Sequence, residues 1–91
     1  MEYQIEYTSR FKKEYKLIKK RGYNIDLLKA VIEILRKGEP LREMYKDHPL
    51  RSNWNGYREC HIQNDWLLIY KYKNNELILS LTATGTHSDL F

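Results

Sequence analysis

Tyr57-Arg58-Glu59-Cys60-His61-Ile62-Gln63-Asn64-Asp65-Trp66-Leu67-Leu68-Ile69-Tyr70-Lys71-Tyr72 decides the fold. Two runs rich in β-branched and aromatic residues, Tyr57 to Ile62 and Trp66 to Tyr72, flank the turn chemistry of Gln63-Asn64, and a third run, Glu76 to Thr82, follows Lys73-Asn74-Asn75. Connections this short make neighbouring runs pair antiparallel, so the second half of the chain reads as a three-stranded meander. Upstream, Glu39 to Asn55 has no periodicity and mixes charge, proline and aromatics, which marks a loop long enough to carry function. Before it, Leu28, Val31, Ile32 and Leu35 recur at helical spacing between a cap at Asn24 and a stop at Gly38. Phe11, Tyr15 and Ile18 do the same between a cap at Thr8 or Ser9 and Gly22, predicting a first helix that runs to about Arg21. Tyr3, Ile5 and Tyr7 alternate with Gln4 and Glu6, the pattern of a short half-buried strand. The order is β-α-α-β-β-β, an α+β class in which a two-helix hairpin covers one face of a mainly antiparallel sheet and leaves the other for a ligand. Thr84 to Phe91 reads as a turn followed by a short tail.

A chain of 91 residues has room for one domain with one core. Apolar residues at 42% and charged residues at 31% are the composition of a folded globule, not of a disordered segment. The lone cysteine, Cys60, has no intramolecular partner, which suits a reducing compartment. With no secretory pattern after Met1 and no apolar run of membrane-spanning length, the expected location is the cytoplasm, away from the membrane. The net charge of +4 is unevenly spread: Arg10, Lys12, Lys13, Lys16, Lys19, Lys20 and Arg21 stand against Glu14 alone. Such a stripe attracts polyanions, although a solvated helix face explains it equally well.

All three histidines, His48, His61 and His87, lie in the C-terminal half, on a loop, a strand and the tail, and Asp65 follows His61 across one tight turn. Imidazoles titrate nearest neutral pH and a carboxylate can orient them or take a proton, so the set suits paired acid and base work. Three histidines and an aspartate are also a zinc inventory, but no two histidines stand at the short spacings of zinc motifs and Cys60 has no cysteine partner. Neither a metal nor any other cofactor is expected. Strand alternation turns Cys60 away from Glu59 and His61, making it a core residue and not a nucleophile. Core packing is the better reading of Trp54 and Tyr57, whereas Trp66 points either into the core or towards a base. Phe91 lies on a polar tail, where it either stacks on a base or docks on the sheet, and Arg51 and Arg58 are candidates to meet a phosphate.

Four blocks in order carry a resemblance that spans nearly the whole chain. Tyr45-Lys46-Asp47-His48-Pro49-Leu50, Trp54-Asn55-Gly56-Tyr57-Arg58-Glu59-Cys60-His61-Ile62, Asp65-Trp66-Leu67-Leu68-Ile69-Tyr70 and Thr84-Gly85-Thr86-His87-Ser88-Asp89-Leu90-Phe91 resemble the YafQ-like branch of the RelE/ParE toxin superfamily. The resemblance implies a toxin that enters the ribosomal decoding site and cuts mRNA without a metal. It also implies a DinJ-like antitoxin partner, through which alone the complex reaches operator DNA. By matching position it assigns His87 as general acid, Asp65 or His48 as base and His61 as a phosphate-stabilising or orienting group. Trp66 and Phe91 would shape or stack on the codon, and Lys12, Lys16, Lys19 and Lys20 would hold ribosomal RNA phosphates. One departure stands out: Ala83 occupies a position where the family pattern calls for an arginine, which would stabilise charge on a five-coordinate phosphate. The expectation is an endoribonuclease of reduced or absent activity. Its rivals are a non-catalytic, ParE-like binding toxin aimed at a protein, and a metal-dependent nuclease built from His48, His61 and His87.

Overall fold

In the computed structural model, which describes residues 2–91, β1 (Gln4–Tyr7) is followed by α1 (Ser9–Lys20) and α2 (Ile25–Arg36). Four more strands come next, β2 (His48–Pro49), β3 (Arg58–Gln63), β4 (Trp66–Lys73) and β5 (Ile78–Gly85), and a short helix, α3 (His87–Leu90), closes the order. Thr8 caps α1, its hydroxyl accepting from the Phe11 N–H at 3.0 Å, and Asn24 caps α2, its side chain accepting from the Asp26 N–H at 3.1 Å. Between the helices Gly22 adopts φ +86°, a left-handed conformation that a Cβ disfavours, which is why the chain reverses there. The expected helical hairpin and meander are both present in an α+β fold.

The sheet has five strands in the order β1-β5-β4-β3-β2. β1 pairs parallel with β5, while β2-β3, β3-β4 and β4-β5 pair antiparallel. Two local elements depart from the sequence reading. The loop from Glu39 to Asn55 contains β2, a strand of only two residues, too short to display an alternating pattern. The expected tail is a helix, held by a reciprocal capping box in which the Thr86 hydroxyl accepts from the Asp89 N–H and the Asp89 carboxylate accepts from the Thr86 N–H.

The main core lies between the helices and the sheet, where Phe11, Ile18, Leu28 and Val31 pack on Cys60, Trp66, Leu68, Tyr70 and Leu81. A smaller cluster on the opposite face joins Leu67, Ile69, Ala83 and Leu90, with Leu50, Trp54 and Tyr57 partly buried against it. A register irregularity separates the two sets on β5: Ile69 pairs with Ala83 but Tyr70 pairs with Leu81, leaving Thr82 as an extra residue. Such a bulge reverses the alternation, so that Leu79 and Leu81 face the helices while Ala83 faces the other way. Among the described residues no helix is long and apolar enough to cross a membrane.

Candidate active site

The side of the sheet away from the helices gathers the candidate groups because cross-strand partners share a face. His48 pairs with Glu59, Glu59 with Ile69 and Ile69 with Ala83, so these four residues form one row across β2, β3, β4 and β5. His61 and Leu67 occupy the neighbouring row. Glu59 is only 5% exposed, and its Oε1 stands 3.5 Å from Nε2 of His48 and 3.5 Å from Nε2 of His61. The buried carboxylate thus stands between the two imidazoles, within ion-pair distance of both. Glu59 was absent from the sequence-derived set. Its signal was the Glu59-x-His61 spacing, which strand alternation turns into a shared face.

His87 reaches this centre from α3. The ring centroids of His61 and His87 are 5.8 Å apart, and those of His48 and His61 6.5 Å. Asp65 receives the His87 backbone N–H at 3.0 Å and lies 2.7 Å from His87 Nδ1. These two hydrogen bonds, the backbone one first, hold the Asp65 carboxyl below the usual carboxylate range. An ionised carboxylate can only accept, so Nδ1 of His87 carries a proton and Nε2 is the nitrogen left for chemistry. The tail is tethered in turn: Arg21 Nη1 donates to Asp89 Oδ2 at 2.8 Å, and that carboxyl is held down to about 2 by Arg21 and by the Thr86 N–H. Gly85 admits the close approach, since a Cβ there would meet Asp89 Cβ and Oδ2 at 3.0 Å.

His48 is oriented from the opposite edge. Its Nδ1 lies 2.8 Å from the Lys46 carbonyl, which can only accept, so Nδ1 again bears the proton and Nε2 faces Glu59. Asp47, next in the chain, accepts from Arg58 Nη2 at 3.0 Å and from the Tyr70 hydroxyl at 2.5 Å, pinning the loop to the sheet. Burial first, and the Asp47 hydrogen bond second, push the Tyr70 hydroxyl pKa well above its ordinary value.

The remaining candidates separate clearly. Trp66 is a correction: at 1% exposure it lies in the helix-side core, edge-on to Tyr23, with Nε1 donating to Thr84 Oγ1 at 2.9 Å. Alternation along β4 puts it with Leu68 and Tyr70, where no base can reach it. Arg58 is a second correction, because its guanidinium is engaged by Asp47 and its strand neighbours of like orientation, Cys60 and Ile62, face the helices. Phe91 is 60% exposed, with its ring 6.4 Å from that of His87 and 6.3 Å from that of Trp54. Arg51 is exposed beside the short turn Ser52–Trp54. Lys12, Lys16 and Lys19 rim a groove of about 550 Å³ between α1 and α2, floored by Phe11, Leu28 and Ile32, and Lys20 is exposed at the end of α1. Cys60 is buried and burial pushes its thiol pKa far up, which removes it as a nucleophile. Ala83 is fully buried on the site side, its methyl packed with Leu67, Ile69 and Leu90. One oxygen or nitrogen each from Glu59, His61 and His87 lie within 4.8 Å of one another, a set that could hold a metal ion and that differs from the trio of the rival metal-dependent reading by Glu59 in place of His48.

Residues 3–91 match the family described as the bacterial toxin of the type II toxin-antitoxin system, YafQ. The chain belongs to the YafQ toxin family. An Escherichia coli relative named mRNA interferase toxin YafQ is 44% identical over 88 residues, covering 96% of this chain and 94% of the relative. The YafQ fold is shared in solved form: the E. coli DinJ-YafQ toxin-antitoxin complex matches with TM-score 0.90 and 40% identity, covering 100% of this chain and 99% of that one. A metal-bound toxin from Helicobacter pylori matches with TM-score 0.92 and 40% identity, covering 98% of this chain and 99% of that one.

Proposed function

We propose that this YafQ-family toxin is an endoribonuclease that cuts ribosome-bound mRNA by acid-base catalysis, with the ribose 2′-OH as nucleophile. The observation that carries the reading is three imidazoles gathered on one centre, two with Nδ1 fixed by an oxygen acceptor and all close to a buried carboxylate. His48 Nε2 takes the 2′-OH proton, the oxygen attacks the neighbouring phosphorus, and the bond from phosphorus to the 5′ oxygen breaks. His87 Nε2 protonates that leaving oxygen, giving a 2′,3′-cyclic phosphate and a 5′-OH. Asp65, engaged at the far nitrogen of His87, acts as its orienting group, which favours His48 over Asp65 as the base. His61, beside Glu59, donates to the phosphate oxygens as charge builds. Phe91 stacks on a base, Arg51 meets a flanking phosphate, and Lys12, Lys16, Lys19 and Lys20 hold ribosomal RNA. A DinJ-like antitoxin restrains the toxin in the cytoplasm, and operator DNA is contacted only through that complex.

Ala83 weakens this site. It lies two strands from Glu59 in the same row, roughly 10 Å away, a gap that an arginine laid across Ile69 would largely span. The methyl group supplies no charge for the phosphate. Primer extension on ribosome-bound mRNA, with chelator present, tests the proposal: cleavage by this chain or its Ala83→Arg variant, lost on His87→Ala, is expected. Ribosome binding with no cleavage from any form would point instead to a non-catalytic, ParE-like toxin.

The Glu59, His61 and His87 set supports a second reading, in which a borderline divalent ion binds there and withdraws two imidazoles from proton transfer. Added Zn²⁺ would then suppress cleavage that proceeds with chelator. Cleavage abolished by chelator and restored by metal would mark a metal-dependent nuclease.

A further inference from the structure

Among the described residues β2 pairs only with Arg58 and Glu59, so beyond that point the outer edge of β3 has no strand beside it. The 3-10 turn Glu43–Tyr45 packs against β3, and a hollow of about 330 Å³ remains, walled by Met44, Tyr45 and Lys46 on one side and by His61, Gln63 and Asn64 on the other. That volume is in the range of small-ligand sites. We infer that this hollow is a nucleobase subsite, holding the base of a nucleotide next to the scissile phosphate. The inference rests on the RNA-cleaving reading and extends it to a site on the opposite flank from Phe91.

Position comes first. His61 belongs both to the imidazole cluster and to the wall of the hollow, whereas Phe91 neighbours His87, with the two histidine rings 5.8 Å apart. A phosphate held among the imidazoles therefore has one nucleotide leaving past Phe91 and the other past His61. The lining agrees with that occupant. Met44, 63% exposed, and Tyr45 offer an apolar and an aromatic surface for the base plane. Gln63 and Asn64 each carry an amide with both donor and acceptor, the complement of a base edge, and take no part in the hydrogen bonds that order Asp47, Asp65 and Asp89. Lys46 supplies a cation for a backbone phosphate, and its φ of +50° sits one residue before the anchored Asp47, so this wall is fixed to the sheet and does not have to be assembled by RNA.

The test is an NMR titration of the intact chain with a 2′-O-methyl adenine trinucleotide, which has no attacking hydroxyl. Saturable shifts are expected at the Met44 methyl and the Gln63 and Asn64 side-chain amides, together with those at His87 and Phe91. The Met44→Ala/Gln63→Leu double variant should bind at least about fivefold more weakly, from the loss of one base contact. Shifts confined to His87 and Phe91, with unchanged affinity in the double variant, would overturn the subsite while leaving the RNA-cleaving reading in place. No shift anywhere in the chain would also overturn the subsite, whereas the RNA-cleaving reading, which concerns ribosome-bound mRNA, fails only if primer extension shows no cleavage by any form.

Discussion

On the helix-covered face of the sheet, Trp66 gives its single polar hydrogen to Thr84 and is closed in by Tyr23. On the open face, Trp54 stands half-buried, edge-on to Tyr57 and Phe91, with the Arg10 guanidinium 5.3 Å above its ring. The two tryptophans differ in burial because one face is roofed by two helices and the other by a single turn of helix and a loop. The first face is built as a continuous apolar core. The second spends part of its area on Glu59, His61 and His48, with only Leu67, Ile69, Ala83 and Leu90 fully packed beside them. Stability is therefore concentrated on one side, and the proposed chemistry on the other.

Substitution on the two faces should separate these properties. Trp66→Ala removes the largest buried side chain and leaves Thr84 without its donor, so unfolding in denaturant should show a loss of about 3–5 kcal/mol. The His87→Ala change on the open face should leave that midpoint nearly unmoved; a comparable loss there would erase the contrast. Next in size, Ala83→Arg should increase cleavage of ribosome-bound mRNA by roughly a hundredfold, the usual scale of one electrostatic contact to a transition state. An unchanged rate would mean that the row from Ala83 to His48 is not the path of charge stabilisation.

Gly85→Ala sharpens the comparison at the seam between the faces. Its new methyl would press on Asp89, so a destabilisation of about 1–2 kcal/mol is expected, with α3 displaced and His87 drawn from Asp65. A kcat decrease at unchanged KM would report that displacement, and wild-type kinetics would argue against a rigid tail. The smallest effect concerns acid. Asp89 is held at about 2 in the folded chain against an ordinary 3.8, so its contribution is complete above the ordinary value and is lost as pH falls towards 2. The Arg21-Asp89 tether should persist at the ordinary carboxylate value and open only below it, which the pH dependence of the Arg21 and Asp89 NMR signals would display. Arg21→Ala should bring the Asp89 midpoint back upward.

Periodicity made the helices and the meander legible. Phe11, Tyr15 and Ile18, then Leu28, Val31 and Leu35, define their helical faces without any knowledge of partners, and the short turns at Gln63-Asn64 and Lys73 to Asn75 leave antiparallel pairing as the available arrangement. Alternation also put Cys60 inside and Glu59 beside His61, although the importance of Glu59 emerged only when His48 came to lie opposite it. The proposed acid-base chemistry was suggested by the histidines and Asp65, since few side chains offer that pair of properties near neutral pH.

Where periodicity was too short or was interrupted, only the tertiary structure decided. β2 has two residues and draws its identity from pairing with Arg58 and Glu59, not from its own composition. The bulge at Thr82 turns Ala83 away from the helices, an inversion that no count along β5 would reveal because it depends on register against Ile69 and Tyr70. Trp66 was ambiguous in sequence and became a core residue through Thr84 and Tyr23, while Arg58 was taken by Asp47. Local patterns thus determined which elements form and which residue types could do the chemistry. Which of those residues meet depended on contacts between positions far apart in the chain, and these exist only after the strands have chosen their register.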